Sequence, residues 1–297
     1  MLKSSSPTSP AGRAVLITGT SSGLGEACAL HMSRVGFHVL AGVRRSVDGE
    51  RLRTAAVGRL TPVVVDVTDE KSVRAAADEV TELLDGAGLW GLVNNAGIAV
   101  TAPLECVPME QMRRQLDINV IGQVQMVQSF LPLLRVGTGR IVNVSSGLGN
   151  VALPYLGAYA ASQFAKEALS DALRRELAPQ GIPVVVIQPG AVLTPLWSKM
   201  SDMGNRALEG APELVRELYR DSFLGFMEAN ETSARSSRTT VEDVARVIFR
   251  ALVAERPRTR YTVGRDATGS RVLSRLLPDR ALDRVFGGTS ALKNLRN

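Results

Sequence analysis

The chain has 297 residues, of which 45% are hydrophobic, 22% charged and 4% aromatic. That composition is expected of a soluble globular chain with a core large enough to need no disulfide or metal staple. Two cysteines, Cys28 and Cys106, cannot make a disulfide framework, so a reducing, cytoplasmic compartment is the expectation. Residues 1–12 (MLKSSSPTSPAG) lack the apolar stretch of a signal peptide and read as a disordered arm. No apolar run reaches the roughly 18 residues of a membrane span. A secreted mini-protein, a membrane-spanning protein and a disordered chain are thereby set aside.

The net charge of +6 is unevenly placed: residues 256–297 carry ten Lys/Arg against three Asp/Glu, and the rest of the chain is close to neutral. That basic end has almost no aromatic residues for stacking on bases, so nucleic acid is not the expected partner. A solvated surface, an anionic substrate or a membrane surface each accounts for it.

Short apolar, β-branched runs recur along the chain at Ala14–Thr18, Phe37–Val43, Thr61–Asp66, Leu89–Asn94, Arg140–Val144 and Pro183–Gln188. Their near-continuous apolar character is that of parallel strands buried on both faces. Between them lie helical patterns at Leu24–Val35, Glu70–Leu84, Met109–Leu134, Ala158–Ala178 and Val241–Ala254. The alternation specifies an α/β fold: one doubly wound parallel sheet (Rossmann) over residues 13–265, with helices on both faces and a basic helical C-terminal extension over 266–297. Ligands of such sheets bind beyond the carboxyl ends of the strands, at the topological switch point.

The first strand runs straight into Thr18-Gly19-Thr20-Ser21-Ser22-Gly23-Leu24-Gly25, which opens a helix. Glycines there let the backbone turn sharply and approach a pyrophosphate, and the helix N-terminus offers free N–H groups. Gly19, Ser21, Ser22, Gly23, Leu24 and Gly25 are therefore candidate phosphate-binding residues; no Gly-Lys-Ser/Thr follows, which excludes a P-loop. The second strand ends in neutral Val43 followed by Arg44. An acidic residue there would bind free ribose hydroxyls, whereas Arg suits a 2′-phosphate, so NADP(H) is favoured over NAD(H).

From about Arg13 to Arg265 the sequence resembles the short-chain dehydrogenase/reductase family. The resemblance rests on the T-G-x3-G-x-G turn, Asp66-Val67-Thr68, Asn94-Asn95-Ala96-Gly97, Asn119, Ser145-Ser146, Tyr159 thirteen residues after Ser146, and Pro189-Gly190 with Thr194. The stretch Leu89 to Gly97, the run from Ala168 to Arg175 and the late Pro257-Arg258-Thr259-Arg260-Tyr261 look most like the retinol and hydroxysteroid dehydrogenase branch. The resemblance implies that Asp66 and Val67 meet the adenine, Asn95, Ala96 and Gly97 the adenosine ribose, and Pro189, Gly190 and Thr194 the nicotinamide carboxamide. It makes Tyr159 the proton carrier, Ser146 a hydrogen-bond donor to the reacting oxygen, and Asn119 the anchor of a water.

One position departs from the family. Where its members read Tyr-x-x-x-Lys, this chain reads Tyr159-Ala160-Ala161-Ser162-Gln163. The family lysine lowers the phenol pKa and binds the nicotinamide ribose; an amide can keep the ribose hydrogen bond but brings no charge. Lys166 lies on the same helix face, seven residues after Tyr159, and could lean back over Gln163 as a substitute cation, or be an ordinary surface or interface lysine.

The resulting expectation is an NADP(H)-dependent oxidoreductase interconverting a lipophilic alcohol and its carbonyl compound, such as a steroid or retinoid. The alternative is a nucleotide-binding member, catalytically impaired by Gln163, that acts as a sensor or binding partner. The resemblance places a substrate lid over 194–240, where Leu196, Trp197, Met200, Met203, Leu224, Phe226 and Met227 supply an apolar, adaptable surface. It also implies a homodimer or homotetramer. In the tail, Val272, Leu273, Leu276 and Leu277 form a stripe beside Arg271, Arg275 and Arg280, suited to docking on the protein's own core or to peripheral membrane contact.

Overall fold

Every residue of the first strand is buried, and its side chains alternate between two apolar layers. Val15 and Ile17 share one layer with Cys28, Met32 and Ile248. Ala14 and Leu16 share the other with Val73, Val80 and Phe130. Burying a side chain such as fully enclosed Phe130 stabilises the fold by about 1.5–3 kcal/mol. A strand apolar on both faces needs helices on both sides, and that is the architecture found. The computed structural model describes residues 9–286.

Seven strands form one parallel sheet: β1 (Ala14–Thr18), β2 (His38–Val43), β3 (Leu60–Val64), β4 (Leu89–Asn94), β5 (Arg140–Val144), β6 (Val184–Pro189) and β7 (Arg260–Val263). Their order is β3-β2-β1-β4-β5-β6-β7, so the direction of winding reverses between β1 and β4. The helices are α1 (Gly23–Arg34), α2 (Ser46–Ala55), α3 (Glu70–Leu84), α4 (Met109–Leu116), α5 (Gly122–Val136), α6 (Gly157–Leu177), α7 (Leu196–Glu209), α8 (Glu213–Ser236), α9 (Val241–Val253), α10 (Arg265–Leu276) and α11 (Asp279–Phe286). Strand β7 and helices α2, α7 and α8 go beyond the elements read from the sequence; β7 is short and only partly buried, and α2 has a weak apolar stripe.

The helix expected over Met109–Leu134 is interrupted. A π-helical turn, Asp117–Ile121, separates α4 from α5 and carries Asn119. Such turns admit one extra residue and mark functional positions. At the opposite rim of the sheet, Arg13 and Arg140 lie 3.6 and 4.4 Å from the ring centre of Trp90. The Trp90 indole donates to the Leu252 carbonyl at 3.0 Å, tying β4 to the end of α9.

A third apolar cluster sits above the sheet, where Met200, Leu208, Phe223, Phe226 and Met227 of α7 and α8 meet Val100, Leu156 and Ala158. Helix α10 turns back onto the loop after β5: a Cβ added to Gly147 would come within 3.2 Å of Ala267 Cα. Of the expected tail, α10 and α11 are helical and residues 287–297 lie outside the described residues. The tail stripe divides: Val272 and Leu276 are 49% and 74% exposed, whereas Leu273 and Leu277 are half-buried. The expected arm lies outside the described residues over 1–8; residues 9–12 form a turn in which Arg13 N–H donates to the Pro10 carbonyl. Cys28 and Cys106 are buried and free. No helix among the described residues is long and apolar enough to cross a membrane.

Candidate active site

At the switch point, the turn from β1 into α1 is fixed by contacts that leave no room for side chains. A Cβ on Gly25 would lie 2.2 Å from the Gly19 carbonyl oxygen, and one on Gly19 would lie 2.8 Å from Ala96 Cα. The Thr18 hydroxyl accepts from the Asn95 and Ala96 amides at 3.0 Å, and Asn95 Nδ2 donates to the Thr18 carbonyl at 2.9 Å. These bonds lock the end of β4 to the turn. Ser22 caps α1 in extended conformation without a side-chain hydrogen bond, so the first amides of the helix remain available to an anion. From α2, Arg51 reaches across to the Ser21 carbonyl (2.9 Å) and to Glu26 (2.6 Å), bracing the turn from outside.

A cleft of about 650 Å³ opens over this turn. It brings together Gly19, Ser21, Ser22, Gly23, Leu24, Gly25, Arg44, Asp66, Val67, Asn95, Ala96, Gly97 and Thr194, all read from the sequence as dinucleotide contacts. Arg45, next to Arg44, is held by Asp48 at 2.8 Å, but Arg44 has no such carboxylate partner and lines the cleft. Burial pushes the Asp66 carboxyl up, yet hydrogen bonds from the Thr68 amide and hydroxyl, with the charges of Arg44 and Arg114, leave it below its usual value. Both Thr68 bonds fall on Oδ1, which leaves Oδ2 for a donor such as an adenine amino group. Arg114, Lys199 and Arg206 also line the cleft. Sequence reading missed them because α4 and α7 bring them there only in the folded chain.

The second group of expected residues gathers beyond this cleft, at the ends of β5 and β6 and the start of α6. Ser146 accepts from the Leu148 amide at 3.2 Å, capping a short turn. Burial raises the pKa of the Tyr159 phenol, and a hydrogen bond with Ser146 only partly offsets that effect. Gln163 is buried one turn on, and its Oε1 has no hydrogen-bond partner. Gln163, like Ser146 and Tyr159, is not among the residues that line the cleft, but an orphaned buried acceptor has the chemistry to take a ribose hydroxyl, as the glycine-lined cradle has the room for a pyrophosphate. These residues thus suit a dinucleotide on their own geometry.

Asn119 is engaged at both ends of its amide: Oδ1 accepts from the Ile98 amide and Nδ2 donates to the Ile98 carbonyl, each at 2.9 Å. These bonds fix the orientation of the amide, and the anchoring of a water stays an expectation for Asn119. Asn119 works with Gln115, which donates to the Ile98 carbonyl and accepts from the Val100 amide. Both also donate to the Ser162 hydroxyl, which donates in turn to the Tyr159 carbonyl at 2.7 Å. Gln115, missed in the sequence, therefore helps tie the wall of the cleft to the turn that presents Tyr159.

Lys166 does not lean over Gln163 toward the cleft. Its Nζ donates to the Val144 carbonyl at 2.5 Å, inside the junction of α6 and β5, and neither Lys166 nor Gln163 lines the cleft. The helix period placed it on the right face, but its nearest acceptor lies below the site. Burial lowers its pKa from 10.5 to about 8. The unfolded chain then binds this proton more tightly, so stability should rise between about pH 8 and 10.5, by ~3 kcal/mol if this group acts alone. In urea unfolding, Lys166→Met is expected to flatten that rise; an unchanged slope would assign it to another group.

Pro189 and Gly190 close β6, where the Gly190 amide donates to the Val263 carbonyl and the Ala191 amide to Asp266 at 2.6 Å. Thr194 follows and returns to the phosphate turn, 3.5 Å from where a Cβ on Gly23 would be. Above Tyr159, the third apolar cluster takes in Leu196, Trp197, Met200, Met203, Phe226 and Met227 of the expected lid; Leu224 is 46% exposed and stands outside it.

Comparisons with known proteins bear on the family and the fold. A model of the short chain dehydrogenase family matches residues 13–205. The 3-amino-tetrahydro-pyrrolizinone reductase of Xenorhabdus hominickii is 40% identical over 274 residues, covering 92% of this chain and 94% of that protein. Retinol dehydrogenase 16 of Homo sapiens is 39% identical over 261 residues, covering 85% and 81% respectively. The crystal structure of a short chain dehydrogenase/reductase from Burkholderia phymatum in complex with NAD matches with a TM-score of 0.74 at 25% identity, covering 94% of this chain and 96% of that one.

Proposed function

The chain belongs to the short-chain dehydrogenase family, and on that premise we propose that it is an NADP(H)-dependent reductase of a lipophilic carbonyl compound, of steroid or retinoid character. The observation that carries the reading is the Tyr159 phenol, with Ser146 near it and an apolar cluster around it, on a turn tied through Ser162 and Asn119 to Ile98 in the wall of the glycine-lined cleft. When bound, the reduced dinucleotide supplies a hydride. Tyr159 gives its proton to the carbonyl oxygen, and Ser146 donates a hydrogen bond to the same oxygen as charge develops there. Pro189, Gly190 and Thr194 hold the carboxamide, Gln163 Oε1 accepts from the ribose, and Asn119 with Gln115 fixes the wall through Ile98. The segment 194–240 acts as the substrate lid.

The reducing direction is the one this side chain suits. Like any phenol, Tyr159 holds its proton at neutral pH, burial reinforces that, and a proton donor is what reduction needs. Reduction across a panel of apolar ketones and aldehydes is expected to fall only on the alkaline side, as the phenol ionises, while alcohol oxidation climbs with pH. Oxidation that is already maximal at pH 7 would contradict the assignment.

Arg44 supports the choice of NADP(H), since its guanidinium is free to pair with a 2′-phosphate. Arg44→Ser is expected to weaken NADPH binding by about 10- to 100-fold, the worth of a charged hydrogen-bonded pair, and to leave NADH nearly unchanged. Fluorescence titration of both nucleotides checks this; equal losses for the two would assign Arg44 a merely structural part. One specific observation favours the second reading, a sensor or binding partner of low activity: no cation stands at position 163. The chain is further proposed to work as a homodimer or homotetramer, with exposed Phe164 of α6 (44%) as an apolar contact. Peripheral membrane contact would rest on exposed Val272 and Leu276 beside Arg275.

A further inference from the structure

On the far side of the sheet, β7, α9 and α10 enclose a cleft of about 790 Å³ that takes no part in the site described above. Five arginines line it: Arg250, Arg258, Arg260, Arg271 and Arg275. Among the described residues, no carboxylate is in its lining. Two of the five sit deep and are held in place. Arg260 donates to Glu167 at 2.8 Å and pairs with Asp171 at 3.0 Å, and Arg271 donates to Gln188 at 3.0 Å. The guanidinium groups of Arg250, Arg258 and Arg275 have no partner among the described residues.

These arginines are not there to cap α9. Its terminal carbonyls are already served, those of Ala251 and Ala254 by Arg140 and that of Leu252 by Trp90. The charges instead crowd one another: the Arg271 pKa is lowered by burial and then by Arg275 and Arg260, and the nearby Glu167 and Asp171 only partly oppose this. Glu167 and Asp171 offset only part of this charge, and a concave site left with an excess of guanidiniums is relieved by an anion, since planar guanidiniums match phosphate oxygens two at a time.

We propose that this cleft is a binding site for a small soluble polyanion carrying two or more phosphate groups, distinct from the dinucleotide site. Its depth decides between a free ligand and a lipid surface. Arg260, with 14% of its side chain exposed, is within reach of a molecule that enters the cleft but not of a flat layer of headgroups.

The test is calorimetric titration of the full-length protein with sodium tripolyphosphate, repeated with NADPH added and on the Arg250→Gln/Arg275→Gln variant. Both residues are exposed and unpaired, and matching circular dichroism and NADPH titrations confirm that the variant is folded. One equivalent of tripolyphosphate is expected to bind, undisplaced by NADPH, with affinity at least tenfold lower in the variant and falling as salt is raised. Binding that NADPH displaces and the variant retains belongs to the turn after β1 and overturns the proposal. It is equally overturned if phosphatidylglycerol vesicles bind while tripolyphosphate does not. The same holds if tripolyphosphate fails to bind and the variant instead changes the sedimentation of the protein, since the cleft is then a contact between copies.

Discussion

Tyr159→Phe is expected to lower turnover of any carbonyl substrate by about 10²–10⁴ and to leave NADPH affinity within a factor of two. The loss has the size typical of removing a positioned proton donor. The ring of the replacement still packs against the apolar cluster that Tyr159 joins, so neither the fold nor the lid should move. Ser146 keeps its bond from the Leu148 amide, because that contact does not involve the phenol. Steady-state kinetics alongside a nucleotide titration separate the two effects. A variant that turns over at the wild-type rate would remove Tyr159 from the chemistry.

Gln163→Lys is expected to act almost wholly on the opposite direction. An ammonium one turn from Tyr159 stabilises the phenolate, and each unit by which the phenol pKa falls corresponds to about 1.4 kcal/mol, or tenfold more of the basic form. Alcohol oxidation at pH 7–8 should therefore gain roughly 10- to 100-fold, with reduction little changed because its donor is already protonated. The variant should also be less stable, since Lys166 is buried three residues away on the same helix and two ammoniums would then share that interior. Replacing Lys166 by Leu in the same chain is expected to restore part of the loss, at the expense of the Val144 carbonyl's partner. A large gain in reduction as well would favour the reading of this chain as a poorly active nucleotide binder.

The parts of this molecule legible in the sequence are those whose chemistry is local. The turn from Thr18 to Gly25 could be read because three glycines at fixed spacing follow a strand of apolar residues ending in Thr18, and contacts with Ala96 and the Gly19 carbonyl explain why nothing larger fits at Gly19 and Gly25. Ser146 and Tyr159 could be paired because each stands at the edge of a regular element and the resemblance fixed their separation. The π-helical turn at Asn119 could not be read: it goes with a pair of hydrogen bonds to Ile98, twenty-one residues away. Gln115 escaped notice for the same reason. Lys166 shows the limit most clearly. Helical periodicity gives the face a side chain shares, but not the depth at which it finds an acceptor, and here the Val144 carbonyl decides. Leu224 makes the complementary point, since an apolar residue inside an apolar segment still faces outward on α8.

Direct titration of the purified chain with NADPH, followed by nicotinamide fluorescence, tests the central claim most closely. Saturable binding of one equivalent per chain, weakened severalfold or more when Gly25 is replaced by Ala, is the expected result. No saturation at millimolar nucleotide, or binding indifferent to Gly25, would contradict it.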